Sequence, residues 1–296
     1  MGTEKRARQK ANRSAKLQAE AVQEKQDTRR RGVIGFGVVV IAVAVIVGLI
    51  YLGQSDSDET ASGTTTTVAG AETTAPPSTA AALTPVEFTF GSTECPPADG
   101  VTKATLTFDA PPKNCLDEGK TYTATFDTTA GNVVVELDTK DTPGTANNFV
   151  FLSRHQYYDN TQLFRVNNGI DIIQGGSPHT QSSADPGPGY SLKDEGEFNE
   201  DHSQGGYTYK AGDLVMARTS GPDGAGAQFF FVTGKNGSGL DAGQPMPGAG
   251  TYVVFGHVTE GLEALQKIVA TAEVDASGEG KPNPEVTVKS VRITES

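Results

Sequence analysis

The amino-acid sequence predicts a mainly β domain: a closed antiparallel barrel capped by helices, preceded by a single transmembrane helix and a disordered linker. Three observations carry that expectation. Short alternating apolar/polar runs recur from residue 121 to the end, and only two stretches there have helical spacing. Residues 33–52 are twenty consecutive uncharged residues.

In chain order, residues 1–31 hold ten Lys/Arg and four Asp/Glu, a surplus of six positive charges. The whole chain carries −12, so the remainder carries −18. An acidic body argues against nucleic acid as a partner, because phosphate contacts need Lys and Arg. As a helix, residues 33–52 (VIGFGVVVIAVAVIVGLIYL) span about 30 Å, the thickness of the hydrocarbon core, so the lipid bilayer is their expected partner. Arg29, Arg30 and Arg31 precede the run, and Asp56, Asp58 and Glu59 follow it. The positive-inside rule then puts the N-terminus in the cytoplasm and residues 54–296 outside, in a single-pass protein of the cytoplasmic membrane. A cleaved signal peptide is the competing reading, but the run is long for one and no A-x-A site follows it.

Residues 55–84 contain nine Thr, four Ser and seven Ala, too little apolar surface to fold, and read as a flexible tether. Residues 85–119 carry Pro-rich turns, the alternating runs VEFTF and ATLTF, and the only two cysteines. They read as an extension fixed to the following domain. Outside the cytoplasm Cys95 and Cys115 are expected to form a disulfide worth about 3 kcal/mol by chain entropy. Two cysteines at this spacing match no zinc pattern, so no metal is expected. The expected boundaries are 1–31 for the basic tail, 32–53 for the membrane helix, 54–84 for the linker, 85–119 for the extension and 120–296 for the main domain.

Within that domain TYTATFDTTAGNVVVELD reads as a hairpin with Gly131–Asn132 at the turn. TANNFVFLSRHQYY has helical spacing, with Thr145 as N-cap. LFRV and DIIQ are short strands; DLVMA, AQFFFVTG and YVVFGHV are further strands. GLEALQKIVA is an amphipathic helix, and VTVKSVRI closes the chain as a strand.

Nucleotide and nucleophile motifs are absent: there is no GxSxG, P-loop or GxGxxG on a strand–helix turn. His155, His179, His202 and His257 have no metal-ligand spacing and read as scattered surface residues. An enzyme of this composition works with a shaped groove, a few polar groups and no cofactor. Rotation of an Xaa–Pro bond fits, since it breaks no covalent bond and its barrier of about 18–20 kcal/mol comes from amide resonance. In the twisted state the imide nitrogen regains its lone pair, and a guanidinium held over it favours that state over the planar one. Arginine suits the task because it stays charged and donates from a rigid fork.

FRV followed by IIQGGSP, then LVMARTSGPDGAGAQFFFVTG, then YVVFGHV, resembles the cyclophilin-type peptidyl-prolyl isomerases over about residues 120 to 295. TANNF and VTEGLEALQKI also match. The anchor, Thr-rich tether and CPP…C extension resemble membrane-anchored members from high-GC Gram-positive bacteria. The resemblance implies an eight-stranded antiparallel barrel capped by two α-helices, and Xaa–Pro-containing polypeptides as partners of a monomer. It implies Arg165 as the catalytic arginine and Gln174 as the glutamine that orients it and the substrate. Ile172 takes the place of an apolar pocket residue, usually methionine. Ala217 and the backbone of Arg218 fall where the family pairs with the substrate chain. Gln228 falls on a second polar contact, Phe230 on the aromatic floor of the proline pocket, and Tyr252 where many members have histidine.

Strand periodicity agrees in part: Ile172 and Gln174 share a face, as do Gln228 and Phe230, and Val215 and Ala217. The consecutive Phe229, Phe230 and Phe231 need apolar surroundings on both faces of their strand. Eight residues separate Arg165 from Gln174, one more than in the family's common form, so the usual aromatic falls on Ile170 or Asp171. The family's pocket tryptophan is missing, leaving Leu240 or Met246 to close that side, and Phe164 replaces a frequent histidine. These departures imply a shallower pocket and weak cyclosporin binding. A non-catalytic proline-binding module is the alternative reading.

Overall fold

The computed structural model describes residues 82–219 and 221–296. The segments expected to be a basic tail and a membrane helix, and nearly all of the expected linker, fall on residues 1–81, outside the described residues. Among the described residues no helix is long and apolar enough to cross a membrane.

The strands are β1 (Thr84–Val86), β2 (Tyr122–Thr128), β3 (Gly131–Leu137), β4 (Thr161–Gln162), β5 (Arg165–Asn167), β6 (Ile172–Gly175), β7 (Gly196–Phe198), β8 (Asp213–Arg218), β9 (Ala225–Val232), β10 (Val254–Glu260), β11 (Glu273–Val274), β12 (Glu279–Lys281) and β13 (Thr287–Glu295). The helices are α1 (Pro143–Arg154) and α2 (Leu262–Thr271). Instead of eight strands, the main sheet has eleven, ordered β11-β12-β5-β6-β9-β8-β10-β3-β2-β13-β4. Eight of them, β5 through β13 in that order, form the antiparallel wall. The additional strands β4, β11 and β12 have two or three residues each, too few to show a period of two in the sequence. Thr161–Gln162 pair with β13, and Arg165–Asn167 pair with β6. This one segment runs from one end of the wall to the other, and the sheet curls around its core as a half-barrel with ends at β11 and β4, rather than the expected closed barrel.

The first hairpin turns at Thr129–Ala130, and Gly131 already pairs with Thr128, so the expected turn lay two residues too late. Its inner face alternates as the sequence requires: Tyr122, Ala124, Phe126, Val133, Val135 and Leu137 are buried. The core is aromatic. Phe149 stacks on Tyr158 at 5.0 Å, and Phe126 meets Phe231 edge-on at 5.2 Å.

Helix α1 begins at Pro143, with Thr142 rather than Thr145 at its N-cap. Proline at the first helical position gives up no hydrogen bond and sets φ for the helix. The capping acceptor comes from elsewhere. The buried Glu195 carboxylate accepts the Gly144 and Thr145 amides and the Thr145 hydroxyl, each at 2.8 Å. Desolvation outweighs those bonds and holds the carboxyl above its usual range.

Every residue from Gly144 to Arg154 is buried, because the 85–119 extension covers the helix face turned away from the sheet. Phe88 packs over Gly144. Asn147 accepts the Cys115 amide at 2.6 Å and donates to the Lys113 carbonyl at 2.9 Å. The Val101 and Thr105 amides donate to the Arg154 and His155 carbonyls, and Phe108 lies against Phe151 and His155. Cys95 and Cys115 are bridged. ATLTF forms no strand, and of VEFTF only Val86 does, pairing with Gly196 on β7.

His179 and His257 are exposed, as expected, whereas His155 and His202 are half-buried, and carboxylate partners that the spacing did not show are present. His179, His202 and His257 each place Nδ1 within 3.1 Å of an aspartate: Asp185, Asp194 and Asp213. Both ring nitrogens of His155 are buried without a hydrogen-bond partner. Desolvation holds this imidazole below its ordinary pKa of 6.5. The unfolded chain therefore takes up the proton at a pH where the folded one does not. The stability contribution is complete above the unfolded value and declines as pH falls from there through the folded one. Urea unfolding should show the wild type losing stability relative to His155→Phe between about pH 7 and pH 5. Parallel curves would remove His155 as the cause.

Candidate active site

Strands β5, β6, β9, β8 and β10 alternate in and out. Val166, Ile173, Leu214, Met216, Phe229 and Phe231 belong to the main core. The residues between them face outward and build a second, separate cluster. It buries Ile172, Tyr209, Val215, Phe230, Val232 and Leu240, with Ile170, Ala217, Met246, Tyr252 and Val254 packed on it. Phe230 is its floor, and the Tyr252 ring meets it edge-on at 5.7 Å. The expected pocket residues Ile172, Ala217, Phe230, Leu240 and Tyr252 thus meet in one place. Leu240 is buried in this cluster and Met246 packs against it.

A polar row runs along the rim. Arg165 and Gln174 are cross-strand partners on β5 and β6, and Gln174 lies opposite Phe230 on β9. Arg165 Nη1 donates to Gln174 Oε1 at 2.8 Å, and Gln174 Nε2 donates to Gln228 Oε1 at 2.8 Å. Gln228 Nε2 in turn donates to the Ser183 carbonyl at 3.3 Å. Gly176, just past β6, has φ +89°, and a Cβ there would lie 2.7 Å from the Ala227 carbonyl. Glycine is what lets β6 leave the sheet against the bulge that carries Gln228.

The extra residue between Arg165 and Gln174 is taken up in a turn. Asn167 Oδ1 accepts the Gly169 and Ile170 amides, and Asp171 adopts a left-handed φ of 49°. Asp171 is tied to the end of β9 through the Thr233 amide, 2.7 Å from its carbonyl, and the Asn236 amide, 2.9 Å from its carboxylate. Ile170 is thereby delivered to the pocket cluster, an aliphatic side chain where the resemblance implies an aromatic.

Sequence reasoning missed Glu279. It sits on β12 opposite Asn167. Its carboxylate accepts Arg165 Nε at 2.8 Å, Arg165 Nη2, and Asn167 Nδ2 at 2.7 Å. The hydrogen bond from Arg165 is the main cause that holds the Glu279 carboxyl below its usual range. Three of the five guanidinium donors are engaged, leaving one on each terminal nitrogen. The Arg165 side chain is 32% exposed, so a ligand can reach it. The sequence signal for Glu279 was the turn before it. Asp275 accepts the Ser277 and Glu279 amides, and Gly278 has φ +84°, which folds β11 onto β12. Glu279→Gln is expected to cut turnover about tenfold with little change in KM, by loosening the guanidinium rather than removing it. An unchanged kcat would relegate Glu279 to a surface partner.

Arg218 does not face the pocket. It pairs with Ala225 in the ladder, which slips between Met216 and Arg218 and leaves Ala217 outside the regular pairing. Its guanidinium turns to Asp194 at 3.4 Å and lies over Phe198 at 5.8 Å. Tyr209 is a second residue that sequence reasoning missed. Its hydroxyl donates to the Tyr252 carbonyl at 3.0 Å and accepts the Tyr252 amide at 2.9 Å, which fixes that ring beside Phe230.

Two hollows open on this domain, and only the smaller borders the row. A cleft of about 410 Å³ lies on the Gln174–Gln228 side, with Ser183, Pro188, Tyr190 and Ala217 in its lining. A larger one of about 980 Å³ lies over β3, β8 and β10, among Glu136, Asp138, Asp213 and His257. Arg165, Gln174 and Phe230 do not line the larger one, so its size does not make it the reactive site. A cationic fork beside an apolar floor can seat a small ring and donate to an atom at its edge.

Residues 123–293 match the family described as cyclophilin type peptidyl-prolyl cis-trans isomerase/CLD. The chain belongs to the cyclophilin-type peptidyl-prolyl cis-trans isomerases. Among its relatives, peptidyl-prolyl cis-trans isomerase B of Escherichia coli is 33% identical over 173 residues, 58% of this chain and 99% of that protein. The isomerase cyp18 of Streptomyces antibioticus is 31% identical over 174 residues, 58% of this chain and 98% of that protein. A solved cyclophilin type isomerase of Cryptosporidium parvum is 27% identical, covering 59% of this chain and 98% of that one, with a TM-score of 0.43. Within this cyclophilin domain the polar row and part of the pocket cluster lie on strands β5, β6, β8, β9 and β10, and Ile170, Tyr209, Leu240, Met246 and Tyr252 join the cluster from the segments between strands.

Proposed function

We propose that this cyclophilin is a membrane-tethered, extracytoplasmic isomerase that assists the folding of exported proteins by turning their Xaa–Pro bonds. The observation that carries the catalytic part is the hydrogen-bonded row Arg165–Gln174–Gln228 at the rim of the Phe230 pocket. The proline ring sits on Phe230 between Ile172, Leu240 and Tyr252. Arg165 then directs a free N–H at the imide nitrogen as the amide twists, and Gln174 holds the guanidinium at that angle. Glu279 grips its other edge. The donors are in place before the reaction, so they need no reorganisation at the moment of rotation.

The tethered form rests on the sequence: an uncharged run at 33–52 between a basic tail and an acidic body. In this reading residues 1–31 are cytoplasmic, 32–53 span the bilayer, 54–84 are a flexible spacer, and 85–296 work outside as a monomer, in a form like those of actinobacteria. Proline-limited folding takes tens of seconds unaided, which gives a catalyst at the exit side a task.

Exchange between cis and trans signals of an Xaa–Pro peptide, followed by NMR, tests the activity. Acceleration over buffer is expected; binding without acceleration would leave a proline-peptide-binding module. Protease shaving of intact cells tests the topology and should release the 85–296 region, whereas protection would reverse the orientation.

A further inference from the structure

The outer wall of the 410 Å³ cleft rests on a segment outside the family match. That wall is the loop around Pro188–Tyr190. The Phe108 amide donates to the Pro188 carbonyl at 2.8 Å. Gly189, at φ +94°, lies so close that a Cβ would stand 2.4 Å from the Phe108 carbonyl. The Phe108 ring is 6.4 Å from that of Tyr190, whose hydroxyl donates to Asn148 at 2.6 Å. Asn148 also donates to the Gly226 carbonyl, two residues before Gln228.

Phe108 is itself fixed. It is 9% exposed and packed on Phe151 and His155 of the α1 end. The stretch on its far side is closed by the Cys95–Cys115 bridge and gripped by Asn147. On the sheet side, the wall loop is held by the Leu192 amide to the Ala225 carbonyl at 2.8 Å and by Gln228 to Ser183. The cleft is thus framed by the isomerase sheet on one side and by the 183–191 loop on the other, and the extension backs that loop through Phe108.

We propose that the 85–119 extension sets the width of this cleft, and so the preference among residues flanking a substrate proline, with Phe108 as the positioning residue. The inference rests on the isomerase reading for its substrate class. Phe108 touches no substrate; it acts through Pro188–Tyr190. A brace that only stabilised the fold would change every peptide alike, whereas a cleft support changes their order.

The test uses the full-length protein in detergent and tetrapeptides sharing one Xaa–Pro bond, with each flanking residue varied from glycine to phenylalanine. Cis–trans exchange rates and NMR titration affinities are both measured. Phe108→Ala is expected to shift the ratio between large and small flanking residues by about fivefold or more, with Phe108→Leu restoring most of it. The amide signals of Gly187, Gly189 and Tyr190 should move with the ratio. The double variant Cys95→Ser/Cys115→Ser, which unties the extension without touching Phe108, should shift the ratio in the same direction. Ratios that stay at the wild-type value in the double variant and in folded Phe108 variants overturn the proposal. Should the wild type accelerate no peptide, the isomerase reading fails by itself, and the affinity ratios still decide whether the extension shapes the cleft.

Discussion

Arg165→Ala is expected to lower kcat/KM for Xaa–Pro isomerisation by about a hundred- to a thousandfold, the cost of losing one preorganised donor at the reacting group. The loss should fall on kcat more than on KM, because the donor matters when the amide is twisted and little when it is planar. Lysine should not rescue it. Glu279 takes Nε and Nη2 of Arg165 while Gln174 takes Nη1, and an ammonium cannot serve three directions from a rigid plane. Stability should change little, since the side chain stands at the rim and is part-exposed. If Arg165→Ala turns over peptides at the wild-type rate, the guanidinium does not stabilise the twisted amide.

The consecutive phenylalanines of β9 should separate folding from function. Phe229 is fully buried and meets Phe126, Phe149, Tyr158 and Phe231 edge-on. Phe229→Ala should cost about 3–5 kcal/mol of unfolding free energy. Phe230 points the other way, into the cluster with Tyr252 and Leu240. Phe230→Ala should chiefly weaken peptide binding, because it removes the floor on which the ring sits. Denaturant unfolding and peptide titration of both variants decide the matter. Equal losses of stability with unaltered binding in Phe230→Ala would move the pocket elsewhere.

Much of the site was legible because strands alternate. Once FRV, IIQ and AQFFFV are strands, period two alone puts Gln174 beside Ile172 and Phe230 beside Gln228. The same rule splits the three phenylalanines between two faces, and the two clusters divide along that line. Local chemistry also marked the second helix, which runs from Leu262 to Thr271.

What stayed hidden depends on contacts distant in sequence. Glu279 reaches Arg165 across 114 residues through a strand of three residues, too short to carry a pattern. The start of α1 depended on the remote Glu195 carboxylate, which no capping rule could place. The burial of α1 on every side came from the extension laid over it, so its helical spacing overstated how amphipathic it is. The sequence by itself determined which residues face inward and outward along each strand, because side-chain direction is fixed within two residues of backbone. Only the tertiary structure decided which carboxylate aims Arg165 and which segment supports the wall of the cleft, because those depend on how the sheet curls and what is packed against it.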